Sequence, residues 1–284
     1  MPTATAHSSP LPEPVSGTSH RRPLLNALGR GLVRFILSVQ GLGAFALISL
    51  GVLVTNFGVA RNVIHPLTLQ QTFRAGVRLL PLALFLSMAL GFVVIGQTVA
   101  LLNRVGAQQL LGTVMVTVVV RELGPLLAAM LVLSRVGTAT VVELGTARAL
   151  GEVEALEVLG IDPIHYFVVP RFAGMAAGLF ALTVYLILGA LLSGYLWAFL
   201  QDVPLLPSDY FRQLATNLSW LDFFLLAAKT AGFGSVIGLV SCFHGLAQPL
   251  SLNEVSGATV RAVGQSIVLC VLLEALFIVV YLVA

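Results

Sequence analysis

The chain has 284 residues, of which 58% are hydrophobic and only 10% charged, with a formal net charge of +3 and a mean hydropathy of +0.99. A water-soluble core of this size cannot hide that much apolar surface, so the chain must face lipid, and its length leaves room for one membrane domain and no separate soluble one. Its positive charge comes from 14 Arg and a single Lys spread thinly along the sequence, which gives no support for nucleic-acid binding.

Residues 1–21 open with a stretch rich in Pro, Ser and Thr that lacks an apolar h-region, and they are expected to form a disordered cytoplasmic tail rather than a signal peptide. The membrane domain is expected over 22–284. From Pro23, LLNALGRGLVRFILSVQ mixes large apolar residues with Arg30 and Arg34 at helical spacing, the pattern of an interfacial helix. Residues 41–60 are apolar but glycine-rich, and 61–78 carry Arg61, Arg74 and Arg78; together they are expected to dip into the bilayer without crossing it.

Clear spans follow at about 79–102, 108–140, 171–200, 221–243 and 263–283, each near or above the ~20 residues that cross hydrocarbon. The expected fold is therefore all-α, with the interfacial helix followed by five transmembrane helices. The Arg-bearing N-terminal segments place the N-terminus in the cytoplasm by the bias of Lys and Arg toward inside loops. Five crossings then put the 141–170 and 244–262 loops inside, and the 201–220 loop and the C-terminus outside. Trp197, Tyr210 and Trp220 are placed as interfacial anchors of the outer loop.

Gly174 with Gly178, and Gly234 with Gly238, are spaced small-xxx-small, which lets helices approach closely. Intrachain packing is the plainer reading and a dimer face the sharper one. Cys242 and Cys270 lie in apolar segments, where a thiol behaves as a small hydrophobe, so neither a disulfide nor a metal site is expected.

Among the charged residues inside the spans four stand out: Arg121, Glu122, Lys229 and Glu274. Each costs roughly 2.5–3.5 kcal/mol on insertion scales, so they should face a cavity or each other. They could pair to hold helices in register, or form a polar patch in a substrate cavity. Pro125, four residues after Arg121, removes a backbone donor and should kink the helix beside the charges.

The loop that follows carries five acids from Glu143 to Asp162 against Arg148 alone, with Ala149, Val153, Leu156 and Gly160 at helical spacing. That pattern predicts a short amphipathic helix. Asp162-Pro163 then reads as N-cap and first position of the next helix. A short rigid helix between two spans can pass force from a soluble partner into the membrane, or can merely connect them.

The block RELGPLLAAMLVLSRVGTATVVELGTARA, continuing through EALEVLGIDP to VVPR, resembles the permease subunit of the MlaE/YrbE family, which works in ABC transporters with MCE-domain proteins. Weaker resemblance at Lys229-Thr230, at CFHG and at GATVRAVGQS extends it over about 22–284. The chain departs from the family's usual Glu-Gln pair in the loop, having Gly151-Glu152, and the extra glycine would loosen a helix there by roughly 1 kcal/mol relative to Ala.

The resemblance implies a homodimeric, multi-pass inner-membrane permease bound to two copies of a cytoplasmic ATPase. It would move phospholipid or a similar apolar lipid between inner and outer membranes, as in the upkeep of lipid asymmetry, with an MCE-domain protein continuing the path outside. Arg121, Glu122, Lys229, Arg261 and Glu274 would line the substrate cavity. Residues 143–160 would form the coupling helix, with Glu143, Arg148, Glu152, Glu154, Leu156 and Gly160 meeting the ATPase.

The chain is not expected to be an enzyme. Its lone lysine follows Ala228 inside an apolar span, so no glycine-rich phosphate loop surrounds it, and ATP-Mg would be bound by the partner. The five histidines lack metal-ligand spacing and no G-x-S-x-G elbow occurs. The rival reading is an ion-coupled carrier in which Glu122 or Glu274 binds a proton beside Lys229 or Arg121, though no internal repeat of the kind such carriers usually show is present. A third reading is a membrane scaffold that transports nothing.

Overall fold

A computed structural model describes residues 40–49, 51–52, 61–200, 207–246 and 251–283. The tail over 1–21 and the interfacial helix from Pro23 lie outside them. The chain divides into Met1–Gly43 and Ala44–Ala284, and the bundle described below belongs to the second unit.

All regular structure among the described residues is helical. A short helix, α1 (Gln40–Ser49), precedes five helices long and apolar enough to cross a membrane: α2 (Ile64–Leu102), α3 (Leu111–Ala149), α5 (Ile164–Leu200), α7 (Trp220–Leu246) and α8 (Leu252–Leu282). Between them stand α4 (Glu152–Val158) and α6 (Pro207–Asn217). The expected five crossings are thus present, but they overrun the apolar windows. Residues 64–78, expected to dip and return, are the first part of α2, and α3 continues nine residues past 140. Helical hydrogen bonding does not stop where hydrophobicity does: 39 residues extend about 58 Å, against about 30 Å of hydrocarbon.

Local sequence explains the breaks in these long helices. Pro81 cannot donate to the Val77 carbonyl, and the chain tightens there into a 3-10 turn, Val77–Leu79, in which Leu80 N donates to Val77 O. Wider π-helical turns occur at Gly91–Ile95, Val116–Leu123, Leu133–Gly137 and Ile164–Val168. Two of them carry intramembrane charges, Arg121 with Glu122 and Arg135.

The helix α5 is central, packing on α2, α3 and α7, while α8 lies on α7 and α3. The main core joins all five spans through Ala83, Val132, Leu179, Phe233 and Cys270. Only 22% of the apolar window of α8 is buried, so that helix presents most of its surface to lipid or to another chain. Both free cysteines are buried, Cys242 in a separate cluster with Leu144 and Val153.

The spaced glycines serve intrachain packing. A Cβ on Gly174 would stand 2.5 Å from the Gln71 Cβ and one on Gly178 2.7 Å from the Ala75 Cβ, both on α2. On α7, a Cβ on Gly234 would stand 2.5 Å from the Ala176 Cα of α5. Neither glycine pair is left free as a dimer face. Gly178→Val should therefore force α2 from α5 and destabilise the bundle by about 1–3 kcal/mol, the usual cost of overpacking. Thermal unfolding of the purified protein in detergent checks it; an unchanged midpoint would show that the two helices can separate freely.

Tyr210 corrects one expectation. It is buried at 2% exposure, its hydroxyl donates to Leu191 O at 3.1 Å, and it packs with Leu111 and Met115. It therefore pins α6 onto α5 and is no interfacial anchor, and burial pushes its phenol well above the ordinary tyrosine range. Trp220, 92% exposed, keeps an anchor's position.

Candidate functional site

Two ionic layers lie toward opposite ends of the bundle. Arg121 is ten residues from the start of α3, Lys229 nine from the start of α7 and Glu274 eight from the end of α8. Each therefore sits about 12–15 Å in from the face that carries α6. These helices run antiparallel or parallel in such a way that the three positions share one level, and the structure brings them together.

Lys229 is the hub. Its ammonium is fully buried and donates to Glu122 Oε2 at 3.1 Å, to Glu274 Oε1 at 3.0 Å and to the Arg121 carbonyl at 2.7 Å. Three donors of an ammonium thus find three acceptors. The third acceptor follows from sequence: in α-helical register the Arg121 carbonyl would bond the amide of residue 125, and Pro125 has none. The carbonyl that proline leaves open is taken by the lysine, which locks α7 to the RELGP segment of α3.

The guanidinium of Arg121 turns the other way. Its Nε lies 2.8 Å from Asp222 Oδ1, pairing the charges although angled away from a hydrogen bond. Asp222 is itself fixed by Ser219, whose backbone N and hydroxyl donate to its Oδ2 at 2.9 and 3.1 Å, so it caps α7 as well. The Tyr281 ring completes the site, 5.0 Å from Arg121 Cζ and 6.0 Å from Lys229 Nζ. Two cations thus meet three carboxylates. Asp222, Lys229 and Glu274 are buried, whereas Arg121 and Glu122 remain about 28–29% exposed at the side chain. The RELGP pair is therefore the part of the cluster that a ligand can touch.

Four of the five expected cavity residues meet here. Arg261 does not: it lies on α8 thirteen residues before Glu274, more than three turns and about 20 Å away, and it is exposed. Sequence reasoning missed Asp222 and Tyr281, which stand at span ends where charges and aromatics are ordinary. The Ser219-Trp220-Leu221-Asp222 run was the available signal, since Ser followed three residues later by an acid reads as a helix start.

The second layer lies toward the face that carries α4. Glu143 joins Arg74 of α2 at 2.9 Å and Arg171 of α5 at 3.4 Å, tying three helices at their ends. Glu143 and Arg148 thus belong to α3, and residues 143–160 are not one helix. Gly151, at φ +77°, breaks the run, because the left-handed conformation it adopts cannot continue a helix. The short α4 that remains ends in a Schellman motif: Ile161 N donates to Leu156 O at 2.9 Å and Gly160 N to Glu157 O at 3.0 Å, with Gly160 at φ +75°. Asp162 then accepts from Ile164 N at 3.0 Å, which bears out its reading as the cap of the next helix.

Val153, fully buried, and the Arg148–Glu154 pair at 3.2 Å hold α4 against the bundle. Leu156 is half-buried and Glu152 exposed. Beyond them Leu150, Val158 and Leu159 are 62%, 88% and 73% exposed, an apolar surface beyond the ends of the spans.

A family model described as Permease MlaE matches residues 68–280. A probable ABC transporter permease protein of Rickettsia felis is 28% identical over 254 residues, covering 87% of this chain and 93% of its own. One from Synechocystis is 32% identical over 207 residues, 70% of this chain and 76% of its own. The chloroplastic protein TRIGALACTOSYLDIACYLGLYCEROL 1 of Arabidopsis thaliana is 30% identical over 206 residues, 71% of this chain and 57% of its own.

Proposed function

The chain belongs to the MlaE family of ABC transporter permeases, and from that premise we propose that it carries phospholipid, or a similar apolar lipid, between the inner and outer membranes of a cell envelope, driven by ATP hydrolysed in a partner. The observation that carries the lipid reading is the charged cluster around Lys229, set among otherwise apolar helices and reaching the surface through Arg121 and Glu122. An amphipathic cargo needs an ionic anchor beside an apolar wall, and this is such a place. The name of the Arabidopsis relative, which is that of a glycolipid, points to the same class of cargo.

In this reading the protein lies in the inner membrane as a homodimer, with two ATPase copies on the cytoplasmic side and an MCE-domain protein outside. The little-buried α8 leaves surface for the second copy. The exposed Leu150, Val158 and Leu159 suit the ATPase, with Glu152, Leu156 and Gly160 of the same segment beside them. Glu143 and Arg148 serve indirectly, by fixing the ends of α2, α3 and α5 and the pose of α4.

A mild-detergent pull-down of the tagged chain from its native membrane, read by mass spectrometry, tests the assembly. A stoichiometric ATPase is the expected result; a homo-oligomer without one would overturn the ATP-driven reading. It would then favour an ion-coupled carrier, which the sharing of one ammonium by Glu122 and Glu274 would suit. For the cluster itself, Glu122→Ala is expected to change bound-lipid content or transport severalfold while assembly persists, because Glu122 is the partly exposed carboxylate. Unchanged lipid and unchanged transport would leave Glu122 a packing residue.

A further inference from the structure

A cleft lies between α2 and α3, away from the Lys229 cluster. It is an open cleft of about 550 Å³ that Arg74, Arg78 and Arg135 line on its polar side and Leu79, Leu82 and Val136 on its apolar side. Arg74 is neutralised by Glu143. Arg78 and Arg135 are exposed, and neither has an ion-pair partner among the described residues.

Their positions are set by local distortion. Arg78 sits on the 3-10 turn before Pro81 and Arg135 on the π-helical turn Leu133–Gly137. Each stands fourteen residues from the α4-side end of its helix, about 21 Å along it: Arg78 directly precedes the apolar run 79–102, and Arg135 lies five residues inside the α4-side end of the run 108–140. A long arginine side chain near that end of the apolar run can extend toward the lipid headgroups, where its guanidinium offers paired donors that match a phosphate. From the cleft the exposed apolar face of α2 leads toward the bilayer centre through Leu82 and Phe85.

We propose that the cleft holds the phosphate of a membrane phospholipid between Arg78 and Arg135, with the acyl chains lying along Leu82 and Phe85. It is a site distinct from the Lys229 cluster and toward the opposite end of the bundle. A lipid held here is drawn from the leaflet on the α4 side. The inference rests on the lipid reading only for the class of ligand; occupancy needs neither ATPase nor turnover.

The test uses the full chain in nanodiscs of phosphatidylcholine doped with a phosphatidylglycerol analogue carrying a photoreactive group in one acyl chain. Peptide mass spectrometry is expected to find adducts on α2 and α3 near Leu82 and Val136. Arg78→Gln together with Arg135→Gln should cut those adducts at least about tenfold, the effect of losing one charge-assisted hydrogen bond, while thermal unfolding stays as in the parent because both side chains are exposed. Arg78→Lys with Arg135→Lys should retain part of the labelling.

Three results would overturn the proposal: labelling unchanged in the double Gln variant, equal labelling by a matched diacylglycerol probe that lacks the phosphate, or full displacement by soluble glycerophosphate, which would make the cleft a site for free anions. Loss of transport with labelling intact would instead strike only the transport reading.

Discussion

Lys229→Met is expected to destabilise the protein more than any other single substitution in the bundle. The change removes three donated hydrogen bonds at once and leaves Glu122 and Glu274 facing each other beside an unbonded carbonyl. Removing one partner of a buried ion pair costs about 3–5 kcal/mol, a large share of the stability of a typical domain. Thermal unfolding in detergent should show a fall of many degrees and a poor yield of inserted protein.

A second substitution separates charge from packing. In Lys229→Met with Glu274→Gln the repelling carboxylate is gone, and much of the lost stability should return, a coupling that a double-mutant cycle measures directly. If this pair of changes folds but no longer transports, the ammonium has a role beyond holding helices in register. Parent-level transport by the doubly substituted protein would assign the cluster to architecture alone, and a stable Lys229→Met single variant would remove even that.

The second large effect is expected at α4. Leu159→Asp places a carboxylate on a residue that is 73% exposed, so insertion and thermal stability should match the parent. Docking on the ATPase should nevertheless fail, since an interface anchor typically carries about 2 kcal/mol or more, roughly thirty-fold in affinity. Leu156→Asp should abolish transport too, but Leu156 is half-buried and its loss mixes docking with packing. Co-purification of the ATPase with Leu159→Asp at parental stoichiometry, together with normal transport, would remove α4 from the coupling path.

Much of this is legible in the sequence alone. Hydropathy located five crossings because ~20 apolar residues in a row have few other uses. Arg121, Glu122, Lys229 and Glu274 stood out because a charge in mid-span is costly. That same rule was silent on Asp222 and Tyr281, which lie where a span meets water and where such residues cost nothing unusual. It also could not show that the Arg121 carbonyl, four residues before Pro125, accepts from a lysine on another helix.

Glycine was read by composition where it acts by conformation. Gly151 was expected to loosen one helix over 143–160, whereas its positive φ divides that stretch between α3 and α4. Resemblance groups Arg261 with the cavity, whereas helix geometry carries it about 20 Å along α8 from Glu274. The extra length of α2 and α3 was hidden because polar residues such as Arg74 and Glu143 continue a helix without any hydropathic signal, and they find each other only across helices.

Lys229 is the only lysine in the sequence, and its side chain has no solvent exposure. Amine-directed reagents and enzymes that modify lysine therefore have no side-chain target on the closed bundle. Any acylation that does appear at position 229 dates a moment when α3, α7 and α8 had parted, so the chain carries its own chemical clock for the opening of the cluster.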